Sequence, residues 1–394
     1  MKRILYFMPI LSLEQNAGNM TRILSMLKYF KHRGMKVDYC GLKGFVPWED
    51  PDDKKIMQKG LVERVFILNR KPLRKHFVRR ILYKVPNYLA NKFHGIDNVA
   101  LRNFSSHYLC KQFNKILKEN KYDYILINYS WWAEFIRQKD LLKGAYTIVD
   151  THDLVAMQEY NIQKKRLGRI FEEEMKRLNR FDEVWSVSVD ELYVYNHLLN
   201  NKVRLVPNMP LSNIDTFDLT KGMEKNNDII YVASDNDWNK MSAKWFLSEV
   251  YPLLPKNLKI CIIGKINDLI PENYPNITKI PFVENLAEAY ANSKIAICPM
   301  LGGTGIKLKV IEAMSFALPV VCTLRGIDGL PNKINNGCLV SDDANQFASN
   351  IVELLENHEL YDKMSEQGYD LYKAYFNPEV RYKQLDEIFG ININ

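Results

Sequence analysis

No run of apolar residues in this chain approaches the roughly 18 that a membrane-spanning helix requires. The opening segment, MKRILYFMPI, is too short and too strand-like for a secretory leader. Both absences predict a protein that stays in the cytoplasm. Cysteine is sparse: six residues (Cys40, Cys110, Cys261, Cys298, Cys322, Cys338) lie scattered, without a CxxC pair and mostly inside apolar runs. This argues against a zinc or disulfide framework and for reduced core thiols. Internal repeats and low-complexity tracts are lacking, and charge of one sign is not dominant: 54 basic against 46 acidic residues leave a net +8. That surplus is too small to indicate nucleic-acid binding by itself.

What remains is an ordinary globular composition, 47% hydrophobic and 25% charged over 394 residues, enough for about two domains at roughly 100 to 200 residues each. The one concentrated charge runs from Arg70 to Lys84 (RKPLRKHFVRRILYK), with seven basic residues and no acidic one. Leu73, Phe77 and Ile81 in that run share a helix face, so Arg74, Arg79 and Arg80 suggest a surface for anionic headgroups, with a simply solvated helix as the alternative.

Short β-branched runs alternate with amphipathic stretches along the chain. RILYFMP reads as a strand, Met20 to His32 as a helix ended by Arg33-Gly34, and MKVDYCGL as the next strand. The alternation continues through YDYILINY, AYTIVDTHD, EVWSVSVD and VRLVPN, pauses over the polar SNIDTFDLTKGMEKNND, and restarts with IIYVAS, KICIIG, ITKIPF, KIAICPM and PVVCT. Continuous rather than alternating apolar runs belong to parallel strands buried on both faces. The expected fold is α/β: two Rossmann-like, doubly wound parallel-sheet domains facing a central cleft, over residues 1–207 and 208–375, with ligands at the carboxyl ends of the strands.

Chemistry concentrates in PMLGGTGIKLKVIEAMSFALPVVCTLRGIDG, from Pro299 to Gly329. A strand end, a turn holding Gly302, Gly303 and Gly305, and a helix start together suit an anionic phosphate. Lys307 and Lys309 add cations beside that turn, and Glu312, further along the helix, could accept both hydroxyls of a ribose. Phosphate plus ribose means a nucleotide; a tight turn with solvent-facing lysines is the competing reading. Asp235-Asn236-Asp237 spells DxD but follows the first strand of an α/β domain, so no metal is assigned to it and no cofactor is expected. Trp131-Trp132, after strand YILINY, offers a ring for a sugar, with core packing as the other role.

GGTGIKLKVIEAMSFALPVV followed by TLRGIDGL resembles the donor-binding signature of retaining GT-B glycosyltransferases of family 4. The HD dipeptide at His152-Asp153, the SVSV step, the VPN linker and the FVENLAEAY segment follow in the same order. The resemblance is strong over residues 228–330 and weak over 42–120. It implies a glycosyltransferase that carries a sugar from a UDP- or GDP-sugar to a cell-surface polysaccharide, lipopolysaccharide or polyprenyl-linked glycan, with retention and without metal. It implies His152 as a contact near the reacting carbon, Gly18 in the loop over the transferred sugar, and Lys240 (or Lys244) against the diphosphate. It further implies Val283 beside the base, the amides around Gly303 and Gly305 on the sugar, and Glu312 on the ribose. The first glutamate of the family's E-x7-E motif is replaced by Thr304. The resemblance also implies a final helix, residues 376–394, that packs back on the first domain. Acceptor and membrane contacts are expected from Arg74, Arg79, Arg80 and Trp131, at the inner face of the cell membrane. The competing functions are a nucleotide-sugar epimerase of the same fold and a non-catalytic glycan-assembly scaffold. A dinucleotide-dependent dehydrogenase is disfavoured because no GxGxxG follows the first strand.

Overall fold

The computed structural model describes residues 1–11, 18–45, 56–57, 59–70, 77–163, 166–208, 225–271, 274–283, 286–303 and 305–392, the side chains of 77–82 and 161–163 excepted. The chain divides into two compact units, Met1–Val206 and Pro207–Asn394. Both are α/β with wholly parallel sheets.

The first unit carries β1 (Arg3–Phe7), β2 (Lys36–Lys43), β3 (Arg64–Asn69), β4 (Tyr124–Asn128), β5 (Tyr146–Asp150), β6 (Glu183–Ser186) and β7 (Lys202–Leu205). Its helices are α1 (Gly18–His32), α2 (Phe77–Phe93), α3 (His107–Glu119), α4 (Lys139–Leu142), α5 (Val155–Gln163), α6 (Leu167–Leu178) and α7 (Val189–Leu198), with a 3-10 turn at Ser130–Ile136. The strand order β3-β2-β1-β4-β5-β6-β7 reverses between β1 and β4. Gly34, at φ +65°, ends α1 where L side chains are disfavoured. Ser106 and Ser188 cap α3 and α7 by accepting from the amides of Leu109 and Glu191. Helix α2 runs from Phe77 to Phe93 through Pro86 and takes in the end of the basic run, whereas residues 71–76 of that run, Leu73 among them, lie outside the described residues. Strand β3, in the stretch of weakest resemblance, carries no strong signal because most of its residues are only half-buried.

The second unit carries β8 (Asn227–Val232), β9 (Ile260–Ile263), β10 (Ile277–Ile280), β11 (Ser293–Cys298), β12 (Val320–Cys322) and β13 (Cys338–Val340). Its helices are α8 (Asp237–Trp245), α9 (Leu286–Ala291), α10 (Leu308–Ser315), α11 (Ala344–Glu356), α12 (His358–Tyr375) and α13 (Pro378–Phe389), the last in contact with α12. The order β10-β9-β8-β11-β12-β13 reverses between β8 and β11. The helix expected from SAKWFLSEVYPLL begins earlier, at the Asn236 cap, and loosens into a π turn at Phe246–Val250.

Each sheet is buried on both faces, which explains the continuous apolar runs. In β8, Ile230 joins one core while Ile229 and Tyr231 join the other. In the first unit Phe113 and Phe135 stack with centroids 4.4 Å apart, and Phe7 meets Phe135 edge-on at 4.9 Å. All six cysteines are free thiols. Among the described residues, no helix is long and apolar enough to cross a membrane. Phe135→Ala should remove fully buried stacking area and cost the first unit about 3–5 kcal/mol, measurable as a lowered urea midpoint.

Candidate functional sites at the two strand-order reversals

Open α/β sheets bind ligands where the loops from two neighbouring strands part in opposite directions, beyond the carboxyl ends. In the second unit those are the loops after β8 and β11. Asn236 caps α8 by accepting from the Asn239 amide at 2.8 Å, and Asn239 itself is buried. Ser242 accepts from the Leu301 amide at 3.1 Å, which ties α8 to the loop after β11. Backbone and ring touch here: a Cβ on Gly302 would lie 2.2 Å from the Trp238 ring, so any larger residue would have to displace that ring. Gly303 and Gly305 follow at φ +91° and +75°.

This turn delivers the chain to α10, whose first residues have no side-chain cap. An uncapped helix start presents amide hydrogens and the positive end of its dipole. Lys309, in the first turn, donates to Asn239 Oδ1 at 3.1 Å and lies over the Tyr231 ring, 5.3 Å from its centroid. Burial and the nearby Lys307 charge lower its pKa, against the opposing pull of Cys298 and Glu312. One turn on, Glu312 accepts from Tyr290 Oη at 3.1 Å through Oε2. Burial lifts the Glu312 pKa to about 7, although the Tyr290 hydrogen bond and Lys309 both pull it down.

The proposed donor residues thus separate. Gly303, Gly305, Lys307 and Glu312 gather at the β8/β11 reversal, but Lys307 is buried and donates to Gly305 O at 2.7 Å, bracing the turn. Lys240 and Lys244 are exposed on α8, whereas Lys309, counted on sequence only as an additional cation, is the lysine that crosses to the β8 loop. Its position four residues after Gly305, in the first turn of the helix that also carries Glu312, was the available signal. Val283 follows β10, half-buried and packed on the core. Thr304 and Arg74 lie outside the described residues, as do the side chains of Arg79 and Arg80. Asp235 and Asp237 are exposed, and among the described residues no three His, Cys, Asp or Glu side chains are grouped to hold a metal.

In the first unit the reversal lies between β1 and β4, and Asn128 pairs with Asp150 across β4 and β5. His152 follows, buried, at φ +61°, and Tyr129 after β4 adopts φ +70°. Two non-glycine residues in the left-handed region side by side mark a conformation held by its surroundings. Their rings stack at 4.5 Å, and Trp131 stacks on Tyr129 at 5.0 Å, while Trp132 is fully buried in the core. Asn128 donates from Nδ2 to Phe7 O at 2.7 Å, which leaves Oδ1 to face His152 Nε2 at 2.6 Å. A carbonyl oxygen there requires the proton on Nε2, so neutral His152 keeps a lone pair on Nδ1. Burial lowers the His152 pKa to about 4, with Asp150 raising it and Arg22 lowering it.

Asp150 in turn accepts from Arg22 Nε at 2.7 Å, and Arg22 also donates to Val206 O at 2.7 Å. Gly18 is exposed at the start of α1, next to Asn19, whose side chain donates to Tyr129 Oη at 3.3 Å. Asp153 accepts from Gln158, whereas the amides of Val155 and Ala156 at the start of α5 go to Glu174 on α6. Glu174 was missed because its role needs α6 folded against α5.

Residues 226–357 match the model of the glycosyl transferases group 1 family. The match lies wholly within the second unit. A Klebsiella pneumoniae protein named as an uncharacterized 44.6 kDa protein in the cps region is 25% identical over 276 residues, 62% of this chain and 68% of that one. Among solved structures, sucrose-phosphate synthase from Thermosynechococcus elongatus superposes with a TM-score of 0.69 at 16% identity, covering 99% of this chain and 98% of the other. Anabaena HepE, solved with UDP-glucose, gives 0.67 at 13% identity over 99% and 100%. The chain therefore has the GT-B fold.

Two outcomes follow for the first unit. Arg22→Ala strands a buried Asp150 carboxylate and should cost about 3–5 kcal/mol, read from urea unfolding. Because His152 is held near 4 in the folded state and titrates near 6.5 when unfolded, the unfolded chain takes up the proton first. Stability then falls as pH drops from about 6.5 to about 4, and His152→Gln should remove about 3 kcal/mol of that fall. Unfolding free energies of the two proteins across this range measure the difference.

Proposed function

We propose that this chain is a retaining glycosyltransferase that transfers a sugar from a UDP-sugar to a growing cell-surface polysaccharide, without a metal ion. The observation that carries the donor half is the grouping of the uncapped α10 start, Lys309 and Glu312 at the β8/β11 reversal. The α10 amides and Lys309 meet the diphosphate, and the ionised Glu312 accepts from the ribose hydroxyls. As the glycosidic bond breaks, negative charge builds on the leaving diphosphate. A preorganised helix terminus and a partly desolvated lysine then stabilise the transition state more than the ground state.

On the acceptor half, neutral His152 offers Nδ1 as an acceptor to a hydroxyl of the transferred sugar. It does not supply a proton, since its pKa of about 4 keeps it neutral near pH 7. No side chain is assigned as nucleophile or base; the departing phosphate serves as base in this reading. UDP is favoured over GDP by HepE, solved with UDP and UDP-glucose. The polysaccharide acceptor is favoured by the cps-region relative.

Calorimetric titration with UDP and with GDP, each in the presence of EDTA, tests the reading. UDP should bind, and Lys309→Met should weaken it by at least about tenfold, the loss of one charge-assisted contact. Neither nucleotide binding would sink the transferase reading in favour of a scaffold. Binding needs Glu312 ionised, and its free-state pKa of about 7 means that affinity rises with pH up to about 7 and then levels. Glu312→Gln should bind more weakly and lose that part of the rise which exceeds the titration of UDP's own phosphate.

A further inference from the structure

Helix α2 leaves Val85, Tyr88, Leu89 and Phe93 exposed at 53%, 67%, 55% and 89%. Their spacing places all four on one face of a helix, an apolar stripe with the exposed Lys92 among them and Lys84 beside it. Soluble surfaces scatter large apolar side chains singly; a contiguous stripe marks an interaction surface. The stripe borders a cavity of about 640 Å³, with Leu89 and Phe93 at its lip and Lys111, Lys118 and Arg137 among its lining residues.

The cavity's charge is one-sided. Glu134 is the single carboxylate among its described lining residues, and its oxygens are already occupied. Arg137 donates to Oε2 at 2.5 Å and to Oε1 at 2.9 Å, Arg180 reaches Oε1, and His94 Nδ1 lies 3.2 Å from Oε2. The guanidinium surplus lowers the pKa of His94 after burial has done so, and burial lowers those of Arg137 and Arg180. Cationic groups held together with one carboxylate between them call for a further anion. An anion alone would not need the apolar lip.

We infer that the α2 stripe and this cavity form one site for an anionic lipid at a bilayer surface, the stripe entering the interface and the phosphate headgroup entering the cavity. The chemistry is that of an amphipathic helix assisted by basic residues, and the Arg70–Lys84 run extends the same charge along the chain. The site adjoins the acceptor-side strand ends. Ser105, which lines the cavity, donates to Trp131 O at 3.1 Å, and Trp131 stacks on Tyr129, which stacks on His152. A membrane-borne substrate would thus be presented beside His152. The inference does not rest on nucleotide binding in the second unit.

Co-sedimentation of the full chain with phosphatidylcholine vesicles, with and without phosphatidylglycerol, tests it. The protein should bind the anionic vesicles and leave the neutral ones largely unbound. Lys111→Glu with Lys118→Glu should weaken anionic-vesicle binding at least about tenfold, and so should Leu89→Asp with Phe93→Ser. The charge-matched control Lys256→Glu with Lys363→Glu, on exposed positions of the second unit, should change little. Unaltered melting temperatures show that the variants fold, and UDP titration of the same proteins reports separately on the donor site. Absence of binding to anionic vesicles overturns the inference, as does equal loss in the control pair, which would mean net charge alone. Binding of glycerol phosphate without binding of vesicles would also overturn it, in favour of a soluble phosphate ester.

Discussion

The buried Arg22–Asp150 ion pair constrains much of the first unit. A desolvated carboxylate at the end of β5 is tolerable only beside a cation with its own partners, and Arg22 meets this by reaching from α1 to both Asp150 and Val206 O. With β5's end fixed, the next residues have little freedom. His152 is forced into the left-handed region and its ring lies against Tyr129 and Asn128. The ion pair thereby helps to fix the position of His152, while the Asn128 carbonyl sets its tautomer and burial keeps it neutral.

The second unit solves a related problem differently. Close approach of backbone to ring, Gly302 against Trp238, brings the loops after β8 and β11 together, and Ser242 and Lys309 lock them by hydrogen bonds. The cost is a half-buried lysine and glutamate with pKa values displaced toward neutrality. Perturbed groups of that kind gather where an anionic ligand with hydroxyls can restore their charged states. Each unit carries its arrangement at the carboxyl ends of the strands where the order reverses, because adjacent loops diverge there and leave room.

How much of this was legible varies by element. Strands β1, β2, β4, β5, β8, β9 and β11 were plain, because parallel strands buried on both faces are written as unbroken apolar runs. The half-buried β3 and the three-residue β13 were not. Around the β8/β11 reversal, Gly303, Gly305 and Glu312 could be singled out in the sequence, since a strand, a glycine turn and a helix are contiguous in the chain, and the resemblance gave them their expected roles. Lys240 was the natural choice for the diphosphate on resemblance, yet it is exposed, and the choice between Lys307 and Lys309 depends on which way each side chain turns.

By itself the sequence determined the α/β class, the glycine turn with its following helix, and a basic run that leads into α2. These are local properties, carried by periodicity, turn residues and charge within short stretches. Tertiary structure alone decided that Arg22 serves Asp150, that Glu174 takes the α5 amides, that Lys309 meets Asn239, and that the α2 stripe opens onto a cationic cavity. Each of these joins residues from separate elements, and burial decides their charge states; a linear pattern carries neither the distance nor the desolvation on which both depend.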